Sequence, residues 1–257
     1  MTGGTERFPI VRFTEGSRTN IEEVVAKEFS LTLVLNNRDL VTLLCSPMNL
    51  EYLAVGFLYS EGLIKSKDEI KKIILDKERG VIRVETEEDR DFAGRLIASS
   101  GGRGAAYHSA GGVQSQIKAK IEISADEVFA LVDDFEHRSQ IYQTTGGVHS
   151  AALCNRDDIL VFSDDIGRHN AIDKIFGECL LKDISTAERI VITSGRISSE
   201  ILLKVAKRSI PIIISIAAPT DVAVRLATDL RVTLIGFVRG RKMNVYTEGW
   251  RVVADSP

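Results

Sequence analysis

A chain of 257 residues, 44% of them hydrophobic, has material for one large core or two smaller ones. Its formal net charge of -3, from 33 basic and 36 acidic residues, gives no overall attraction to nucleic acid or an anionic membrane, so neither is expected as a partner and any polyanion must be met locally. No run reaches the roughly 18 apolar residues of a membrane span, the amino terminus has no signal-peptide core, and a cytoplasmic location is expected.

From the amino terminus, "FSLTLVLNNRDLVTLLC" (29–45) reads as a β-hairpin, with two β-branched and apolar runs around Asn36, Asn37, Arg38 and Asp39. Beyond Pro47, Leu50, Leu53, Ala54, Phe57 and Leu58 recur at helical spacing, predicting a helix from about Asn49 to Glu61 with Gly62 as its left-handed stop. "DEIKKIILDKERGVIRVET" predicts a short helix and then a strand, with a turn at Glu78, Arg79 and Gly80. The glycine-rich "SSGGRGAAYHSAGG" (99–112) matches neither a Walker loop nor a GxGxxG unit and reads as a loop, its only large side chains being Arg103, Tyr107 and His108. Ser124-Ala125-Asp126-Glu127 then forms a capping box for a helix with Val128, Leu131, Val132 and Phe135 on one face.

From about residue 158 a unit of strand, polar loop and helix repeats: "ILVF" with "SDDIGRHN", "RIVIT" with "SGR", "PIIISIA" with "APTD", and "VTLIGFV" with "RGRK" leading into "MNVYT". Nearly all-apolar strands are expected of parallel strands covered on both faces, which makes this half an α/β layered domain. Ligands of such open sheets bind beyond the carboxyl ends of the strands, so these loops are candidates for one shared site. They hold Asp164, Asp165, Arg168 and His169; Ser194, Gly195 and Arg196; Thr220 and Asp221; and Arg239, Arg241 and Lys242. Helix starts behind the first three suit phosphate. Bland roles stand beside these: Thr220 as a helix N-cap, Asp164 and Asp165 as turn formers or an anion-repelling pair bracing Arg168, the Arg239, Arg241, Lys242 cluster as a solvated turn, and His149 and His169 as hydrogen-bonded structural groups.

Cys45, Cys154 and Cys179 lie far apart without CxxC spacing, so no disulfide framework or thiolate metal knuckle is indicated, and each reads as a small buried residue. A zinc deaminase would need a His or Cys with Glu on one helix and PCxxC on another; both are missing and no zinc is expected.

"MNLEYLAVGFLYSEGLI", "TTGGVHSAAL", "DDIGRHNAIDKIFG", "TSGRISSEILLKVAKRSIPIIISIAAPTDVAV" and "GFVRGRKMNVYT" together resemble the FdhD family of formate dehydrogenase accessory sulfurtransferases, from about residue 10 to 250. The resemblance implies a cytidine-deaminase-like α/β domain (124–257) behind a β-rich N-terminal portion with one helix and the glycine-rich loop (1–123). It also implies a homodimer that binds Mo-bis-molybdopterin guanine dinucleotide as cargo, takes sulfur from a cysteine desulfurase and serves formate dehydrogenase. The family's nucleotide-binding stretch falls on Phe237, Val238, Arg239, Gly240, Arg241 and Lys242, with Arg168, His169, Ser194, Arg196 and Thr220 as further cofactor-binding candidates.

The family's loop resembles S-C-G-x-C-G, and its two cysteine positions fall on Gly101 and Gly104, which offer no thiol for a persulfide. Sulfur transfer is then lost or supplied by another protein, or moved to another cysteine, Cys154 being the first choice because it follows "GGVHSAAL"; alternatively the glycines replace cysteines of a parent sequence. Two other readings remain: a non-catalytic guanine-nucleotide or cofactor-binding scaffold for oxidoreductase assembly, and an unrelated enzyme using Asp164, Asp165 or His169 as acid or base.

Overall fold

A computed structural model describes residues 3–87 and 116–253; the glycine-rich stretch 99–112, with Gly101, Arg103, Gly104, Tyr107 and His108, lies outside the described residues. The chain begins with a ribbon absent from the sequence reading. Strands β1 (Thr5–Thr14) and β2 (Ser17–Ala26) pair antiparallel about Glu15 and Gly16, both at positive φ. The expected hairpin follows as β3 (Phe29–Leu35) and β4 (Arg38–Cys45), with Asn36 and Asn37 left-handed in the turn as asparagine tolerates.

Helix α1 (Leu50–Glu61) ends at Gly62, whose φ of 73° lets its N–H reach the carbonyls of Leu58 and Tyr59. Only a 3-10 turn, Lys67–Glu69, stands where a short helix was expected; Ile70–Asp76 is instead strand β5, paired with β6 (Val81–Thr86). The spacing of Ile70, Ile73 and Ile74 imitates a helix, but β-branched isoleucines fit a half-buried sheet better. β5 and β6 complete a four-stranded sheet in the order β4-β3-β6-β5, against which α1 buries Leu53, Ala54, Phe57 and Leu58.

The second half adds β7 (Ile123–Ser124), α2 (Ala125–Arg138) and α3 (Gln140–Thr145). The capping box is present at Ser124 and Glu127, and Val128, Leu131, Val132 and Phe135 are the buried face of α2. Then come β8 (His149–Cys154), β9 (Ile159–Asp165), α4 (Arg168–Leu181), β10 (Ile190–Thr193), α5 (Ser199–Ala206), β11 (Ile212–Ser215), α6 (Asp221–Leu230), β12 (Thr233–Arg239), β13 (Lys242–Thr247) and β14 (Val252–Val253).

The main sheet has the order β13-β12-β11-β10-β8-β9 and carries apolar clusters on both faces, which explains its uniformly apolar strands. It is a layered α/β domain, as expected, but a mixed one: β10, β11 and β12 are parallel, whereas β8 and β13 run antiparallel to their neighbours. "RGRK" leads into β13 as a hairpin, so the fourth repeat unit has no helix. Ile117 packs in the sheet's core and its N–H donates to Leu230 O, while β7 pairs with β14. Residues just before 124 therefore pack with the α/β layers.

The two halves meet where α1 crosses α4. A Cβ on Gly56 would lie 1.7 Å from the Asp173 carbonyl oxygen, and one on Gly177 would lie 1.9 Å from that of Tyr52. Glycine costs a helix interior about 1 kcal/mol relative to alanine, and this backbone contact is what offsets it. Beside the crossing, Lys204 pairs with Asp173 at 2.6 Å and Ser60 Oγ donates to the same carboxylate at 2.6 Å, which ties α1, α4 and α5 together.

Candidate functional site

β9, β10, β11 and β12 point the same way, so their carboxyl ends share one edge of the sheet. His149 joins that edge because β8 runs antiparallel and begins there. The edge starts from a buried anchor. Asp165 pairs with Lys174 at 2.7 Å, both side chains fully buried, and accepts hydrogen bonds from Gly167 N and Asn170 Nδ2 at 2.9 Å and from Ser46 N at 3.0 Å. With its oxygens so engaged, Asp165 fixes the start of α4 and is not a free acid or base. Asp164 accepts from Ser150 Oγ at 2.6 Å and Ser139 Oγ at 2.8 Å; burial raises its pKa, which those hydroxyls partly oppose.

Arg168 opens α4 under an uncapped Gly167. Its aliphatic stem lies against Gly195, where a Cβ would sit 2.8 Å from Arg168 Cβ and 3.0 Å from its Cδ, so the small residue after Ser194 seats this side chain. Burial, reinforced by the neighbouring Arg196, lowers the Arg168 pKa, and its buried Nε has no hydrogen-bond partner among the described residues. His169 is 8% exposed. Its Nε2 is 3.1 Å from Glu200 Oε2 but not aligned as a hydrogen bond, so neither ring nitrogen has a partner among the described residues. Burial first, then Lys204, Arg168 and His149, push its pKa down to about 3, and the ring is neutral at pH 7. His149 Nδ1 lies 3.2 Å from Ser194 Oγ, which also accepts from Ser150 N at 2.9 Å.

The other candidates divide. Thr220 Oγ1 accepts from Ala223 N, making Thr220 the N-cap of α6. Phe237 is a non-glycine residue at φ 54°, in a register shift between β12 and β13, and is 43% exposed. Bulges of this kind re-aim side chains and concentrate beside functional sites. Val238 is fully buried in the core facing α2, so its side chain has no surface to offer a ligand and only its backbone remains for the expected role. Arg239, Gly240 and Lys242 are exposed at the turn, whereas Arg241 pairs with Asp126 and lies 5.3 Å over the Phe129 ring, holding it to α2.

The thiols are elsewhere. Cys154 is fully buried in β8, and burial pushes its pKa up to about 12. A thiol that stays protonated and dry is a poor nucleophile, which counts against Cys154 as the substitute for the missing loop cysteines. Burial pushes Cys45 and Cys179 to about 12 as well. Among the described residues no group of three or more His, Cys, Asp or Glu is arranged to hold a metal ion. Sequence reasoning missed Glu200, Gly195 as the seat of Arg168, and the serines around Asp164, because these depend on which loops meet across the sheet.

The profile of the FdhD/NarQ family matches residues 26–253. The chain belongs to the FdhD/NarQ family. It is 42% identical to "Sulfur carrier protein FdhD" of Bacillus subtilis (strain 168) over 248 residues, 94% of this chain and 95% of that protein. Identity to the protein of the same name from Staphylococcus aureus (strain MRSA252) is 38% over 252 residues, covering 95% of each chain. The fold is similar to the crystal structure of a candidate formate dehydrogenase accessory protein from Desulfotalea psychrophila, with a TM-score of 0.82 and 28% identity, covering 97% of this chain and all of that one. Within this FdhD/NarQ chain, "DIGRHNAIDK" supplies the buried anchor and the start of α4, and "TSGR" supplies the loop that faces it.

Proposed function

We propose that this FdhD/NarQ member is a formate dehydrogenase accessory protein that binds Mo-bis-molybdopterin guanine dinucleotide as cargo along the strand-end edge. The reading rests on the Arg168 guanidinium beside Arg196, half-buried at the start of α4 with no carboxylate among the described residues bonded to its Nε. A cargo rich in phosphates satisfies such a group, through charge-assisted hydrogen bonds and the positive end of the helix. The family resemblance supports the guanine dinucleotide, a cytoplasmic homodimer and a cysteine desulfurase as sulfur source; the relatives' names, sulfur carrier and formate dehydrogenase accessory protein, support the rest.

On sulfur the reading differs from those names. The three cysteines are buried and protonated, and Gly101 and Gly104 stand at the family's cysteine positions. This chain binds and delivers cargo without carrying a persulfide itself, which also favours the non-catalytic scaffold over a relocated sulfurtransferase. Incubation with a cysteine desulfurase and cysteine labelled in its sulfur, followed by peptide mass analysis, is expected to leave Cys45, Cys154 and Cys179 without reducible label. Label on Cys154 would restore the sulfurtransferase reading.

A further inference from the structure

The geometry points to His149 as a proton-linked switch in an anion subsite at the start of α4, taking up a proton as a phosphate or diphosphate group arrives beside Arg168 and so turning the Ser194 hydroxyl toward that group. The inference rests on the cargo reading of this edge and adds a residue and a mechanism to it. Two observations mark a ligand position besides the helix end: His169 is about nine-tenths buried with neither ring nitrogen hydrogen-bonded among the described residues, the Glu200 carboxylate lying 3.1 Å from Nε2 out of alignment, and Arg168 Nε is buried without a hydrogen-bond partner among them alongside.

Ser194 works as a rotor. Its Oγ accepts from Ser150 N–H at 2.9 Å and lies 3.2 Å from His149 Nδ1; with the neutral ring in its Nε2–H tautomer, which the switch requires, the hydroxyl proton goes to Nδ1. A proton added at Nδ1 reverses that hydrogen bond without moving a heavy atom. The oxygen then accepts from both neighbours, and its own O–H is free to donate to an anion. The groups facing His149 set the direction: Arg168 and His169 on α4, Asp165 on β9 and Ser194 after β10. Burial and Arg168 lower the His149 pKa in the free site, with Asp165 opposing, and an incoming anion cancels the field of Arg168 and favours the charged ring. His169, deeper and facing Lys204 as well, stays neutral.

Calorimetric titrations with inorganic pyrophosphate and with GDP, each in two buffers of different ionisation enthalpy between about pH 6 and pH 8, read the proton count directly. Taking the variant minus wild-type difference removes the ligand's own protonation. Wild type is expected to take up close to one more proton per ligand than His149→Gln, and its affinity to fall up to roughly tenfold per pH unit more steeply as pH rises. His137→Gln, at an exposed site on α2, should retain the uptake. Equal uptake in wild type and His149→Gln overturns the inference and leaves the cargo reading standing if GDP binds. Pyrophosphate binding with His149-dependent uptake, with GDP no tighter, supports the inference and counts against the guanine cargo.

Discussion

Gly56→Ala should lower the thermal midpoint by roughly 6–12 °C, corresponding to a loss of about 3 kcal/mol. Helix propensity predicts the reverse, since alanine in an ordinary helix interior gains about 1 kcal/mol over glycine. The crossing decides the sign. The new methyl would sit 1.7 Å from the Asp173 carbonyl oxygen and 2.9 Å from Gly177 N, and backbone on a packed helix cannot rotate away as a side chain can. The helices must separate, opening the contact that joins the four-stranded sheet to the α/β layers and displacing α4, whose first residue is Arg168. Gly177→Ala should behave alike from the other side, its methyl 1.9 Å from the Tyr52 carbonyl oxygen. Scanning calorimetry reads the result, and an unchanged or raised midpoint for Gly56→Ala would contradict the packing described.

A loss of about 3–5 kcal/mol is expected for Asp165→Ala, because it leaves the fully buried Lys174 ammonium without its counter-charge. The damage extends beyond the pair. Asp165 also receives Ser46 N, Gly167 N and Asn170 Nδ2, so its removal loosens the segment after β4 and the first turn of α4 together. A combined Asp165→Leu, Lys174→Met variant should recover part of the stability, since neither charge is then buried alone, while the start of α4 remains unanchored. Denaturant unfolding checks the ordering: Asp165→Ala as stable as wild type, or the double variant as unstable as the single, would mean that the pair does not hold the edge together.

Local signals carried much of the fold. Gly62 closes α1, Ser124 and Glu127 open α2, and Asn36 and Asn37 turn the first expected hairpin, each through chemistry within a few residues. The β1–β2 ribbon escaped because its turn, Glu15-Gly16, lacks the Asn-Gly or Asp-Gly signature and its strands are mostly exposed, so burial imposes no alternation. Ile70–Asp76 was misread because isoleucines at positions 70, 73 and 74 fit a helical stripe as well as a strand.

The edge of the sheet was legible as a set of polar loops, yet the roles within it were not. Asp165 becomes a buried anchor only through Lys174 and Ser46, the latter 119 residues away. Thr220 could be read either way until its hydroxyl was found capping α6, and Val238 until its side chain was found in the core. Gly195 could be read in sequence only as one residue of a polar loop; its value lies in the Arg168 side chain packed against it.

The most direct test of the cargo-binding claim is a calorimetric titration of the intact chain with GDP, repeated on an Arg168→Ala, Arg196→Ala variant. Wild type should bind, and the variant should lose roughly tenfold to a hundredfold in affinity, as expected when one or two charge-assisted contacts are removed. No binding by wild type, or equal affinity in the two proteins, would contradict the assignment of this edge as the cargo site.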